Sequence, residues 1–165
     1  MRSDKALRSF FGARVGGQNR PQDVNTPQHI VDAISWVWPE GIALDPCSNA
    51  TSIVPAARRI ILPEDGLAVD WPDRTYANPP FGTLKEWLPK GAQFYEHLIL
   101  APVRTHRVWW CSAAVRTSRI CWLRPFAFLG EKHAFPAPLA MFYFGTRTYE
   151  FECAFAPLGY VGVRI

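Results

Sequence analysis

Apolar residues first recur at helical spacing at Ile30, Val31, Ile34, Val37 and Trp38, directly after Asn25-Thr26-Pro27. Proline just inside a first turn suits a helix start, because its missing N–H is not needed there. Pro39-Glu40-Gly41 ends the helix. The pattern then changes to short unbroken apolar runs. Ile42-Ala43-Leu44 predicts a buried strand and Arg59-Ile60-Ile61-Leu62 a second, with Ser48 to Ala57 between them as a loop and short helix. Arg74-Thr75-Tyr76-Ala77 is a short extended run, and the stretch from Leu84 to Glu96 is helix-like. The run from His97 through Leu100 to Val103 predicts another buried strand. Residues 119–129 and 139–145 predict two more, separated by a loop from Gly130 to Pro138, and the stretch from Phe151 to Val163 reads as a last strand.

Strands alternating with helices predict an α/β sheet. In such sheets ligands bind outside the carboxyl ends of the strands. Several chemistry-bearing residues fall there. Asp45-Pro46-Cys47-Ser48-Asn49 follows the first strand, and an acidic residue at that point faces the ligand crevice. Pro63-Glu64-Asp65-Gly66 follows the second, with Asp65 twenty residues beyond Asp45, as suits a carboxylate accepting from ribose hydroxyls. Asp70-Trp71 lies in the next loop. Thr26 and Pro27 put a helix N-terminus on the same side, where backbone N–H groups favour a carboxylate.

Asn78-Pro79-Pro80-Phe81-Gly82 follows the third extended run. These residue types suit methyl transfer to a planar exocyclic amine. The lone pair of such an amine is delocalised into its ring, so the amine is a poor nucleophile. Acceptors aimed at its two N–H bonds free that lone pair. The Asn78 side-chain oxygen and the Pro79 carbonyl are candidate acceptors. Each precedes a proline, which restrains its backbone to extended geometry. Proline fixes its own φ and adds no competing donor. Phe81 offers a face for a base, worth about 1–3 kcal/mol in single-strand systems.

Composition narrows the picture. With 48% apolar and 14% aromatic residues, the chain is globular with a real core. No apolar run reaches about 18 residues, so no membrane span is expected, and the N-terminus lacks the apolar region of a secretory signal. Cys47, Cys111, Cys121 and Cys153 are scattered, with no C-x-x-C and no His at metal spacing. They read as reduced thiols of a cytoplasmic protein with no metal site. Net charge is +4, with fourteen Arg against four Lys. Arg binds phosphate bidentately and stacks on aromatics, so the balance leans toward nucleic acid. Residues 1–24, with Arg14 and Arg20 among their basic positions, read as a flexible arm, and residues 25–165 as a single domain. Arg104, His106, Arg107 and Trp109 interleave charge and ring at a strand end and form the best candidate nucleic-acid surface. Of Trp109 and Trp110, one is expected in the core.

In order, these pieces resemble the phage-type DNA adenine methyltransferases. The likeness runs from about Asp23 to Val161. It rests on Asn25-Thr26-Pro27, Leu44 to Asn49, Asp65-Gly66-Leu67, Ala77 to Gly82, Leu100 to Thr105 and Phe135-Pro136-Ala137-Pro138. The resemblance implies a Rossmann-like S-adenosylmethionine-dependent methyltransferase sheet with a C-terminal antiparallel strand pair. It implies methyl transfer to the 6-amino group of adenine in DNA, as in phage restriction-modification. Asp45 with Pro46, Cys47 and Asn49 would contact the methionine part of the cofactor, and Thr26 and Pro27 would line the same end. Asp65 or Glu64 would hold the ribose, and Asp70 would approach the cofactor adenine. Asn78 and Pro79 would hold the target amine, Pro80 would brace the loop, and Phe81 would stack on the flipped base.

Two features depart from that pattern. Pro46, Cys47, Ser48 and Asn49 stand where glycines are usual after the first acidic residue. Only 33 residues separate Asp45 from Asn78, so the sheet is expected to be abbreviated around its third strand. Cytosine 4-amino groups, RNA adenine and protein glutamine remain as alternative substrates, as does an inactive nucleic-acid-binding relative. Oligomeric state is not legible, and a dimer is allowed.

Overall fold

The computed structural model describes residues 24–93 and 96–163. Helix α1 (Gln28–Val37) opens behind Pro27 and is followed by β1 (Ile42–Asp45), β2 (Ala56–Arg59) and β3 (Thr75–Ala77). Then come α2 (Leu84–Gly91), β4 (His97–Pro102), α3 (Val108–Ala114) and β5 (Arg119–Leu123). The chain closes with β6 (Leu139–Phe144), α4 (Thr148–Phe155) and β7 (Gly159–Val163).

The strands form one seven-stranded sheet in the order β2-β1-β3-β4-β6-β5-β7. The pairs β1–β2, β1–β3 and β3–β4 are parallel, and β4–β6, β5–β6 and β5–β7 are antiparallel. The parallel centre of a mixed α/β sheet therefore gives way to an antiparallel C-terminal part. Alternate residues of the central strands feed two cores. Leu98 and Leu100 face the cluster built with α1 and α4, and Ile99 and Ala101 face the one built with α2 and α3. Burial on both faces explains why β4 and β6 read as continuous apolar runs.

Several boundaries differ from the sequence reading, each for a local reason. The stretch 48–57 forms no helix. There Asn49 Oδ1 accepts from the Thr51 N–H and hydroxyl, and Ser52 Oγ from the Val54 N–H, local bonds that compete with helical ones. The second strand lies earlier, at Ala56–Arg59, where Arg59 pairs with Asp45. Helix α2 stops at Gly91 rather than Glu96. A Cβ at Gly91 would lie 2.0 Å from the Ile99 side chain, and that close packing turns the chain into β4. Strand β5 ends at Leu123 because Pro125 cannot continue a paired strand. Residues 148–155 are a helix, not the beginning of the last strand. Phe151 and Phe155, one helical turn apart, are fully buried and stack at 4.5 Å. Helix α3, in a stretch read as a strand-end loop, buries Trp110 and leaves Trp109 half-exposed.

Candidate active site

Strand order reverses between β1 and β3. The connection leaving β1 runs outward to β2, and the one leaving β3 runs the other way to β4. Such a switch point opens a crevice at the carboxyl ends of the two strands. Asp45 ends β1 and Asn78 follows the last residue of β3, so the topology brings both to this place. Thr26 and Asn25 arrive from the start of α1. Together with Cys47, Ser48 and Asn49 these residues line a polar crevice of about 10 Å³, room for about one water.

Asn78 is 6% exposed. Its side-chain N–H donates to the Val24 carbonyl at 3.1 Å and to Thr26 Oγ1 at 3.4 Å. Thr26 is held in turn by the Tyr76 hydroxyl at 2.8 Å. Asn78 Oδ1 has no protein partner, the one buried side-chain nitrogen or oxygen in that state among the described residues. A buried acceptor left unpaired costs roughly 1–3 kcal/mol. In native folds such an atom is met by an ordered water, an ion or a ligand.

Asp45 is 4% exposed and accepts from the Cys47 N–H at 3.2 Å. Burial pushes its carboxyl up to about 6, against the opposing pull of the Ser48 hydroxyl, the Cys47 N–H and the Arg59 charge. Burial likewise pushes the Cys47 thiol and the Tyr76 phenol up, so both stay protonated and neutral at physiological pH. Cys47 is therefore a shape-filling thiol beside the Asn78 backbone, not a nucleophile.

A side-chain web fixes the loop after β1. Asn49 donates to Asn25 Oδ1 at 2.7 Å, and Asn25 donates to Thr51 Oγ1 at 2.8 Å. The Asn25 carbonyl also accepts from the Leu129 N–H at 2.9 Å, tying this web to the long 124–138 segment. That segment starts at the carboxyl end of β5 and so lies on the same rim as Asn78. It supplies Phe128 and Phe135, whose rings stand 6.1 and 5.4 Å from Phe81, the latter edge to face. Phe81 is consequently half-buried in an aromatic box rather than a free platform. Pro79 is buried, and the Pro80 carbonyl accepts from Thr83 to turn the chain into α2.

The other expected residues divide. Pro46 meets the turn after β2 so closely that a Cβ on Gly66 would lie 1.7 Å from the Pro46 carbonyl oxygen. This contact carries Asp65 to the end of β1. Asp65 is exposed and accepts from the Leu67 N–H at 2.9 Å. The turn is pinned further by the Trp71 indole on the Gly66 carbonyl and Lys90 on the Leu67 carbonyl. Glu64 pairs instead with Arg58 at 2.7 Å on the surface. Asp70 is exposed, beyond the residues that line the crevice. Arg104, His106 and Arg107 follow β4, the strand beside β3, and are half-exposed to exposed. Burial and the nearby Arg107 charge both lower the Arg104 guanidinium, so two like charges are gathered on one rim. Arg14 and Arg20 lie outside the described residues.

Asn25, Tyr76 and Arg59 belong to the site but carry no motif of their own. Only Asn25 had a signal, as part of the helix start. Compared with family models, with curated proteins and with solved structures, the chain gives no match.

Proposed function

We propose that this chain is an S-adenosylmethionine-dependent methyltransferase that acts on the 6-amino group of adenine in DNA. The observation that carries the reading is Asn78 Oδ1, a buried acceptor without a donor, beside the buried Asp45 carboxylate at the switch point. An amino group is the donor that such an acceptor lacks. The strand order supports the expected abbreviated sheet: the doubly wound order 3-2-1-4-5, stripped of its outer third strand, runs like β2-β1-β3-β4 here.

The donor set fits the cofactor. Asp45 suits its ammonium group, and Asp65, brought to the end of β1 by the Gly66–Pro46 contact, suits ribose hydroxyls. The crevice itself takes only a small polar group, so the rest of a ligand of that size lies along the open rim. The cofactor would supply a methyl group on a sulfonium, a good leaving group.

The chain's own residues hold and orient the amine. Asn78 Oδ1 accepts one of its N–H bonds, and its position is set by the Val24 carbonyl and Thr26. Asn78 is neutral, so it polarises the amine without taking its proton, which would pass from the methylated nitrogen to solvent once the methyl–sulfur bond has broken. Phe81, fixed by Phe128 and Phe135, presents its remaining face to the base. Extruding that base from a duplex costs a few kcal/mol. Contacts from Arg104 and Arg107 to phosphate help offset it. Holding the amine in line then provides much of the rate.

The test is to incubate the protein with isotopically labelled S-adenosylmethionine and DNA, RNA or ribosomal extract, then identify the methylated product by mass spectrometry. N6-methyladenine in the DNA sample is expected. Label in protein or RNA alone would overturn the substrate assignment. The narrowness of the crevice favours one other reading, a nucleic-acid-binding relative without turnover. Calorimetry showing DNA binding but no saturable S-adenosylmethionine heat would decide for it.

A further inference from the structure

The loop that would hold the cofactor's amino acid part is built here without the glycines and the helix that usually shape it. Something else has to fix its course. In the parallel ladder Arg59 stands directly opposite Asp45. The Ile60 N–H donates to the Asp45 carbonyl at 2.9 Å, and the Ser48 N–H donates to the Ile60 carbonyl at 2.9 Å, so the loop folds back against the end of β2. From that position the Arg59 guanidinium reaches two neighbours at once. Its Nε donates to Ser48 Oγ at 2.9 Å, and its Nη2 donates to the Asn49 carbonyl oxygen. The Ser48 hydroxyl in turn favours the charged form of Asp45, against the push of burial.

We propose that Arg59 is a positioning residue for the cofactor: through Ser48 and Asn49 it sets the loop geometry and holds Asp45 as a charged, correctly aimed carboxylate. The proposal rests on the methyltransferase reading of the crevice. A planar fork of donors makes both bonds at fixed angles, which a lysine ammonium cannot do. The charged and titratable groups that bear on Asp45 are Arg59 itself, the Cys47 thiol and the Tyr76 phenol. The last two stay neutral, so Arg59 is the charge that favours ionised Asp45.

Two variants separate aim from charge. Arg59→Lys keeps the charge and loses the fork, and Arg59→Gln loses both. S-adenosylmethionine affinity, measured by calorimetry, is expected to fall roughly tenfold or more in each, the scale of a lost charge-assisted hydrogen bond. The Asp45 carboxyl, followed by NMR without cofactor, should titrate near its wild-type midpoint in Arg59→Lys and at higher pH in Arg59→Gln. Ser48→Ala should reproduce the affinity loss.

A merely structural role predicts a lower melting temperature with unchanged affinity and an unchanged midpoint, and that result overturns the proposal. Wild-type protein that binds no S-adenosylmethionine defeats the underlying reading instead. The cofactor-free titration still reports then whether Arg59 governs Asp45, and an unmoved midpoint in Arg59→Gln defeats that claim independently.

Discussion

Asn78 gives its side-chain N–H to the Val24 carbonyl at 3.1 Å, and by doing so turns its own oxygen into a buried atom with no donor. The bond fixes which end of the amide faces where, so the acceptor is already aimed before any ligand arrives. Preorganised groups of this kind act without reorganising during the reaction.

Asn78→Ala is therefore expected to remove methylation while leaving S-adenosylmethionine affinity within a few-fold of wild type, because the interaction is made chiefly to the reacting amine. Its stability should change by only about 1 kcal/mol, since two hydrogen bonds, one of them long, are lost together with one unsatisfied acceptor. Single-turnover assays and calorimetry on the same preparation check both halves. Turnover near wild type would remove Asn78 from the mechanism.

Asp45 makes the opposite trade between activity and stability. Its folded carboxyl sits near 6, above the ordinary 3.8. The folded chain thus holds the proton more tightly than the unfolded chain. Its contribution to stability is fully present below 3.8 and is lost as pH rises through about 6. A displacement of that size corresponds to on the order of 3 kcal/mol. Asp45→Asn should be the more stable protein at pH 8, should lose that advantage as pH falls below 4, and should no longer bind S-adenosylmethionine. Urea unfolding across pH, with calorimetry at pH 8, reads all three.

Gly66→Ala tests the contact that brings Asp65 to the end of β1. The new methyl would collide with the Pro46 carbonyl oxygen, a backbone atom that cannot swing aside. Overpacking of this kind costs about 1–3 kcal/mol. A lowered melting temperature and weaker S-adenosylmethionine binding are expected together. Unchanged binding would detach the 63–67 turn from the site.

Glu96 holds the far rim. Burial pushes its carboxyl up, but bonds from the Thr146 N–H and hydroxyl, the Tyr143 hydroxyl and the Trp38 indole outweigh it, so it lies below its ordinary range. Its contribution is present above the ordinary carboxyl value of 4.5 and is lost as pH falls through the lowered one. Glu96→Gln should cost about 1–3 kcal/mol at neutral pH through its mismatched hydrogen bonds. It should leave donor binding intact, because the residue sits away from the crevice. Chemical denaturation at pH 7 and pH 4 is the check.

How far these features could be read in the chain depended on their range. The runs that became β1, β4 and β6 were visible because both sheet faces are covered, so every position is apolar. Asn78 and Asp45 were visible because their proline neighbours mark strand ends. Helix α4 was hidden because Phe and Tyr favour strands, and only Phe151 and Phe155 together reveal its buried face. Arg59 was legible as the start of a strand but not as a site residue, since its partners Ser48 and Asn49 lie eleven and ten positions away across a loop. The aromatic box around Phe81 depends on Phe128 and Phe135, which no local pattern connects to it.

Asn25 joins wall and roof with a single residue, its amide fastened to Asn49 and Thr51 and its carbonyl to Leu129. Widening the slot on one side therefore pulls on the cover of the other. On the methyltransferase reading, the two tenants of this cleft would sense each other through that shared residue without touching.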